Sequence, residues 1–496
     1  MPCSIRLLRP FADASRNSPL PTEWLSADTS LLAAETAPHA VAKAFPELKT
    51  LSLWDDGAFN ESFAAALQLL LGTAGGSGSP QQPLLPNLTD LRMVMPNLRE
   101  KDLPDLPPAV AAGLRGATQL RRLELSCNLP AAAAERASIE DLAGLVGLES
   151  VRIGSVGTPL IGPLVQPLTA LTSLAFRCPE SLSADVLAGL PAGLVRLAAY
   201  EARLDVSGLS RLSSLTQLSC AALVAPPGPV APLVPVAAPR SWALPPRLAS
   251  CTLFGQRPEQ LPRLRPHAAL RWDVVLTLKA GQHLSPESAL LPEAEAALCG
   301  AASILADSMA RGSTVKVETQ PALGQMGDVW PVGGEAEVGP GRRNNRTWLE
   351  ALGQTRMSSL LLKGFALSHQ DLETVSCMRS VETLQISWLC SYPSSALPLL
   401  ARLPALVDIS IDVNDWILGS KMEGPMRIPP HASGALLALC NDGRWPGKAL
   451  TVNLNHSAHI TAAMKSALDD VVAELKKELR LLGVNEEVLR LVPYSA

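Results

Sequence analysis

Residues 120–128 read Leu-Arg-Arg-Leu-Glu-Leu-Ser-Cys-Asn. Leucines occupy the first, fourth and sixth positions of this stretch, and an asparagine occupies the ninth. Successive side chains of a β-strand point to opposite faces, so Leu123 and Leu125 are expected to share one face while Arg122 and Glu124 project from the other. The stretch therefore predicts a short strand with one buried side and one polar side.

The same apolar spacing recurs along the chain. The clearest copies lie at 148–153, 171–176, 194–199 and 215–220, and the first leucines of the five stretches are 28, 23, 23 and 21 residues apart. Further copies begin at residues 48, 88, 357, 381 and 406, and a last strand is predicted at 449–454. One such unit cannot bury its own apolar face, so stacking of neighbouring units, with their strands in parallel, is expected.

On these residues and this spacing, the chain resembles the leucine-rich-repeat superfamily, in its intracellular type with degenerate repeats. The resemblance implies an α/β leucine-rich-repeat solenoid, or horseshoe, with parallel strands on the concave face and helices or irregular turns on the convex face. An asparagine at the ninth position is expected to bond the backbone where the chain turns away from the strand. That asparagine is absent from most units.

Departures from the repeat suggest how the chain is divided. Residues 225–246 and 280–356 do not fit the period, and loops are predicted at 72–82, 225–246 and 324–345. The predicted organisation is an N-terminal cap or irregular segment at 1–46, repeats at 47–279 with a Pro-rich insertion at 225–246, a helix, strand and Gly-rich insertion at 280–356, repeats at 357–454, and C-terminal capping helices at 455–496.

The C-terminal segment contains the clearest amphipathic helix. Gly483 suits a left-handed helix stop, and Asn485 is a candidate cap for a short final helix. We expect the long helix to cover the end of the array beyond the strand at 449–454, because terminal repeats need a polar outer face. The apolar stripe consists of Met464, Leu468, Val471, Val472, Leu475, Leu479 and Leu482.

Composition excludes several broad classes of protein. The chain has 496 residues, of which 47% are hydrophobic and 18% charged, which is typical of a folded protein. A net charge of −4 gives no support to a nucleic-acid-binding role. Without a secretory signal or a membrane-length apolar run of ~18 residues, we expect no membrane partner and an intracellular protein in the cytoplasm. The resemblance to leucine-rich-repeat proteins adds the cilium or cytoskeleton as an alternative location.

Sequence patterns for chemistry are weak. The nine cysteines include no Cys-x-x-Cys pair, and those within or just after repeat strands, Cys127, Cys178 and Cys220, are interpreted as small buried hydrophobes. His456 and His459 lack a third metal ligand, and Asp408, Asp412 and Asp415 do not have the spacing of a calcium loop. No recognised catalytic motif is present. We therefore expect no enzyme activity, no cofactor and no metal.

The polar face of the strands is the candidate binding surface. Its third, fifth and seventh positions carry arginines in five units, and these are predicted to form a column with a spacing of about 5 Å. The alternatives are a solvated surface and a wall that attracts an acidic protein partner. Later units offer Thr383, Gln385, Asp408, Ser410 and Asp412, so the face is predicted to change from basic to acidic. The candidate partner-binding residues are Arg92, Arg122, Glu124, Arg152, Arg177, Arg196 and Tyr200.

The resemblance implies a non-catalytic scaffold that binds a protein partner on the concave face. Two more specific roles stay open by family analogy. One is substrate recognition in a ubiquitin ligase, for which no F-box is identified in residues 1–46, and the other is a ciliary or cytoskeletal component.

Overall fold

A computed structural model describes residues 23–32, 37–54, 61–72, 82–95, 98, 102–129, 136–226, 241–267, 270–279, 283, 290–320, 345–365, 367–386, 394–412, 430–442, 451–456 and 462–493. The chain divides into two compact units. The first contains Met1–Pro235 and Trp242–Leu248, and the second contains Val236–Ser241 and Ala249–Ala496.

The first unit contains a ladder of strands, and all of its described pairings are parallel. The strands pair in chain order, except that β6 and β7 both pair with β8. The parallel stacking predicted for the five clearest repeats is confirmed. The strands are β1 (Trp24–Asp28), β2 (Thr50–Trp54), β3 (Asp90–Val94), β4 (Arg122–Leu129), β5 (Ser150–Val156), β6 (Ser173–Arg177), β7 (Ser181–Leu182), β8 (Arg196–Asp205) and β9 (Gln217–Val224).

Helices lie in the connections between these strands, and several contact the helix of the next repeat. This alternation of strand and helix confirms the α/β repeat architecture predicted from the sequence. The helices of the first unit are Thr29–Leu32, Ala37–Ala44, Glu61–Leu71, Pro108–Leu114, Arg136–Ala143, Thr158–Val165, Ala184–Ala188 and Val206–Leu209.

The repeated leucines form the core of the first unit. In the repeat that begins at Leu120, this leucine, Leu123 and Leu125 are at most 3% exposed. Arg122 is exposed and Glu124 is half-buried. Full burial of a leucine side chain contributes about 1.5–3 kcal/mol, so repetition of this triplet fixes which face of each strand turns inward.

Asn128, at the ninth position of that repeat, bonds the backbone as predicted. Its Nδ2 donates to the carbonyl of Leu103 at 2.6 Å. The backbone of Asn128 is also paired, because its N–H donates to Pro104 O and its carbonyl accepts from Leu106 N. These bonds hold the segment before the helix Pro108–Leu114 against the end of β4.

Gly154 in β5 allows a close approach to β4. A Cβ added at Gly154 would lie 2.6 Å from the carbonyl oxygen of Cys127 and 2.8 Å from Leu103 Cδ1. We expect Gly154→Ala to lower the free energy of unfolding by about 1–3 kcal/mol, because backbone must move to relieve the overlap. Gly162→Ala is the control, since nothing lies within 4 Å of a Cβ there and alanine favours a helix. Denaturant titration of both variants tests this, and equal stabilities would contradict it.

The second unit also contains a parallel ladder, which follows chain order. Its helices are Pro292–Ala306, Arg346–Gly353, His369–Ser376, Pro430–Asp442 and Ala462–Leu481, with 3-10 turns at Pro258–Gln260, Ser394–Arg402 and Glu486–Val488. The strands are β10 (Ser250–Gln256), β11 (Arg271–Lys279), β12 (Thr314–Gln320), β13 (Ser359–Lys363), β14 (Thr383–Ile386), β15 (Asp408–Asp412), β16 (Thr451–His456) and β17 (Leu489–Pro493).

The segment 280–356 takes part in this ladder. The sequence separates it from the repeats because its spacing departs from their period. In the structure, β12 pairs in parallel with β11 on one side and with β13 on the other. The segment therefore supplies a strand to the array.

The end of the chain differs from the predicted cap. Gly483 has a φ of +66° and Asn485 caps the short 3-10 helix Glu486–Val488, both as expected, but β17 then follows and pairs with β16. The helix Ala462–Leu481 contacts the helix Pro430–Asp442 and β17, so it connects two strands of the ladder. Its buried face includes Leu468, Val472, Leu475 and Leu479, whereas Leu482 is 50% exposed.

Most of the predicted loops lie outside the described residues, which omit 73–81, 227–240 and 321–344. The same is true of most of residues 1–46, where an F-box was considered. The assignment of these segments as loops, which limited proteolysis would test, therefore stays a prediction.

Candidate functional site

The outward side of the first unit brings the candidate residues onto one surface. Parallel register aligns equivalent positions of neighbouring strands, which forms rows of side chains across the sheet. The third-position row, from β3 to β9, contains Asp90, Arg122, Ser150, Ser173, Arg196 and Gln217. The fifth-position row contains Arg92, Glu124, Arg152, Ala175, Ala198 and Ser219.

The predicted column of arginines is wrong. The five arginines are distributed over three rows, because Arg122 and Arg196 lie in the third-position row, Arg92 and Arg152 in the fifth, and Arg177 pairs with Tyr200 in a further row. Carboxylates separate several of them. The sequence places arginines on the same face, but their spacing within each strand puts them at different heights on it.

Ion pairs connect the arginines of β3, β4 and β5 to neighbouring carboxylates. Arg122 Nη1 lies 3.4 Å from Asp90 Oδ1. Glu124 lies between two arginines, with one oxygen 3.9 Å from Arg92 Nε and the other 3.3 Å from Arg152 Nη1. All three arginine side chains are at least 48% exposed, so such pairs contribute about 0–1 kcal/mol each to stability. They can be exchanged for contacts with a partner at little cost.

The row formed by Arg177 and Tyr200 contains a backbone irregularity. Glu201 has a φ of +65°, a conformation that is rare for a residue other than glycine. It lies where the pairing of β8 with β9 shifts register between Ala199 and Arg203. Glu201 Oε1 lies 3.7 Å from Arg177 Nε. Sequence reasoning missed Glu201, because a bulge shifts the period on which outward positions were assigned.

The outward face keeps an excess of positive charge between β3 and β8. Among the candidate residues and their ion-pair partners, five arginines face three carboxylates, which are Asp90, Glu124 and Glu201, and the exposed Arg203 of β8 adds a sixth arginine to the face. The chain as a whole has a net charge of −4. The charge of this face is therefore opposite in sign to that of the chain.

The outward face of the second unit has mixed charge. Glu318 Oε2 lies 2.8 Å from Lys316 Nζ and 3.6 Å from Lys363 Nζ. Asp408 accepts from Asn453 Nδ2 through both carboxylate oxygens, at 3.0 and 2.9 Å. The predicted acidic character of the later units is therefore only partial, because sequence reasoning did not include the lysines of β12 and β13.

Two of the buried cysteines have little nucleophilic character. Burial raises the pKa of the Cys127 thiol to about 12, with a smaller contribution from Asp105, and burial also raises the pKa of the Cys440 thiol to about 12. These thiols are protonated at neutral pH, whereas a thiolate is needed for nucleophilic attack or metal binding. Both therefore act as small apolar groups in the core, which for Cys127 is what the sequence predicts.

Within the described residues, no three histidine, cysteine or acidic side chains are grouped as metal ligands. The side chains of His456, His459, Asp412 and Asp415 lie outside that part of the chain. None of the described helices is long and apolar enough to cross a membrane.

Each repeat buries the apolar residues of its strand, exposes the alternate ones and returns through a helix or turn to the next parallel strand. This is a leucine-rich-repeat fold. No protein-family model matches the sequence, and no curated protein matches it.

Two solved structures of known proteins show limited similarity to the chain. One is an internalin from Listeria monocytogenes, with 14% identity, a TM-score of 0.34, and coverage of 75% of this chain and 82% of the internalin. The other is TLR13 in a complex with ssRNA13, with 13% identity, a TM-score of 0.26, and coverage of 92% of this chain and 79% of TLR13.

Proposed function

We propose that this chain is a non-catalytic scaffold that binds an acidic segment of a protein partner. The binding surface is the outward face of the first unit, and the observation that carries the proposal is the excess of arginine on that face. The residues that contact the partner are Arg92, Arg122, Glu124, Arg152, Arg177, Arg196 and Tyr200.

The rigidity of the face supports binding. The candidate side chains project from strands whose opposite side is buried, so their backbone positions are set before a partner arrives. Surfaces organised in this way lose less conformational entropy on association. A partner therefore meets a largely pre-formed array of charges.

The charge pattern supports recognition of one orientation of the partner. Excess positive charge attracts an acidic segment and increases its association rate, and this effect is screened by salt. Glu124, between Arg92 and Arg152, would repel an acidic residue placed directly over it. The alternation of charge thus sets where along the face a partner carboxylate can lie.

The test reverses two charges on the face. In Arg122→Glu/Arg152→Glu we expect capture of the partner from a cell lysate to fall on the order of tenfold or more, and wild-type capture to weaken as salt rises from about 50 to 300 mM. Arg211→Glu/Arg247→Glu is the control, because it changes the net charge equally in turns that precede β9 and β10. Quantitative mass spectrometry of the captured proteins gives the result.

The proposed binding surface would be wrong if Arg211→Glu/Arg247→Glu also lost capture of the partner. It would also be wrong if Arg122→Glu/Arg152→Glu captured the partner as well as the wild type does. The identity of a salt-sensitive partner also separates the finer roles. An adaptor subunit of a ubiquitin ligase would favour substrate recognition, and tubulin or dynein subunits would favour a cytoskeletal role.

A further inference from the structure

The outward face contains a patch of small side chains across β6, β8 and β9. Ser173 and Ala175 of β6 lie beside Ala198 of β8 and Ser219 of β9, and all four are half-buried. We call these four residues the small-residue floor. Neighbouring strands are about 4.8 Å apart, so the floor extends ~10 Å across the sheet.

Long side chains surround this floor. Arg152 continues the fifth-position row on β5, next to Ala175. Arg196 lies two residues before Ala198, and Arg177 and Tyr200 lie two residues beyond Ala175 and Ala198. The difference in side-chain length makes the floor a shallow depression with a basic and aromatic rim.

Arg196 differs from the other four candidate arginines of the face. Arg92, Arg122, Arg152 and Arg177 each have a carboxylate oxygen within 4 Å. Arg196 is exposed between Ser173 and Gln217, and no described carboxylate lies within ion-pair distance of it. Its guanidinium is therefore available for a two-point contact with a carboxylate, which is the geometry that arginine favours.

We propose that the small-residue floor receives an extended acidic peptide segment of the partner, with one carboxylate of the segment paired to Arg196. This inference rests on the proposed function and specifies the chemistry and position of the ligand. The backbone of the segment lies over alanine and serine side chains, where no bulky group obstructs its approach.

The dimensions of the depression fit an extended segment. The Cα atoms of Arg152 and Arg196 are separated by two strand spacings and by two residues along a strand, which is about 12 Å. An extended chain rises about 3.3 Å per residue, so side chains four residues apart on one face are separated by about 13 Å. A segment with acidic residues at alternate positions therefore places one carboxylate near Arg196 and another near Arg152.

The charge pattern favours a peptide over a nucleic acid. A phosphate backbone is recognised by a continuous basic surface, because each nucleotide adds a negative charge. Asp90, Glu124 and Glu201 interrupt the arginines here and would repel part of such a backbone. A peptide can place neutral residues opposite these carboxylates.

The backbone irregularity beside the rim supports a binding role. Glu201, with its positive φ, directly follows Tyr200 on the edge of the depression. Bulges re-aim the side chains that flank them, and residues in rare backbone conformations occur preferentially at ligand contacts. The floor is thus bordered by a β-bulge in β8.

The experiment measures binding of a fluorescently labelled ten-residue peptide of alternating Glu and Ser to the full chain. At low salt we expect saturable binding, weakened about tenfold or more in Arg196→Ala and partly restored in Arg196→Lys. Ala198→Phe should also abolish binding, because it fills the floor but keeps every charge. Arg211→Ala, which removes one positive charge from a turn before β9, should bind like the wild type.

Thermal melting of each variant verifies that the fold is intact. Equal peptide affinity of the wild type and Arg196→Ala would overturn the subsite at Arg196. If only Arg122→Glu/Arg152→Glu lost peptide binding, the proposed function would still hold, but the peptide would bind elsewhere on the face. No binding of the acidic peptide, or equally tight binding of the matched Lys-Ser peptide, would overturn the ligand class. If a single-stranded oligonucleotide bound more tightly than the acidic peptide, the ligand class would be nucleic acid and not peptide.

Discussion

Leu123→Asp is expected to abolish cooperative folding of the first unit. Leu123 is 3% exposed in β4, and its cross-strand neighbours are Leu91 and Val151. An aspartate here would be an unpaired charge among apolar side chains, or would be protonated at a cost of several kcal/mol. Lost packing adds about 2–5 kcal/mol for a large-to-small change in a core. The cost of the buried aspartate and the cost of lost packing together are comparable to the total stability of a typical domain, about 5–15 kcal/mol.

Hydrogen exchange between residues 90 and 224 provides the measurement, because amides of the ladder should lose protection throughout this region. Ser126→Asp is the matched control, since it adds the same group to an outward position of the same strand. Leu123→Met keeps the core filled and should reduce stability by less than about 1.5 kcal/mol. Retained protection in Leu123→Asp would show that the buried triplet does not support the array.

The buried side of the array could be predicted from sequence because it depends on spacing within one repeat. Leucine at the first, fourth and sixth positions determines which face of β4 turns inward, and the same spacing identifies β5, β6, β8 and β9. The outward positions of Arg122 and Arg152 follow from that alternation without knowledge of any neighbouring strand.

The charge pattern could not be predicted in this way, since it depends on register between strands that are distant in sequence. Glu124 lies beside Arg152 only because β4 and β5 pair in one particular alignment across a 28-residue interval. The bulge at Glu201 has no counterpart in the leucine spacing. Similarly, β12 and β17 were not assigned to the array, because their short apolar stretches lack the full triplet. Only pairing with neighbouring strands shows that they belong to it.

Asp371→Ala is expected to lower the free energy of unfolding of the second unit by about 3–5 kcal/mol. Asp371 is fully buried at the third position of the helix His369–Ser376. Its Oδ1 accepts from Asn345 N at 3.0 Å, and its Oδ2 accepts from Asn345 Nδ2 at 3.1 Å and from Ser368 N at 2.8 Å. Alanine removes all three of these acceptor contacts, and each buried donor left without a partner costs about 1–3 kcal/mol.

The same network joins the starts of two helices. Asn345 precedes the helix Arg346–Gly353, and its Oδ1 accepts from Trp348 Nε1 at 3.1 Å. Ser368 Oγ in turn accepts from Asp371 N, which completes a reciprocal capping box at the second helix. Asp371→Asn should be intermediate, because its amide oxygen still accepts while its NH₂ group meets donors.

Glu350→Ala is the control, because it removes a carboxylate whose contact is shorter than those of Asp371 but is exposed to solvent. Glu350 Oε1 lies 2.6 Å from Arg346 Nε, and both side chains are 51% exposed. Water solvates both groups when this pair is broken, so its loss should leave the free energy of unfolding close to that of the wild type. Denaturant titration should therefore give Asp371→Ala the lowest free energy of unfolding, Asp371→Asn an intermediate value and Glu350→Ala the highest. The reverse order would mean that contact distance, and not burial of the donors, determines what these carboxylates contribute.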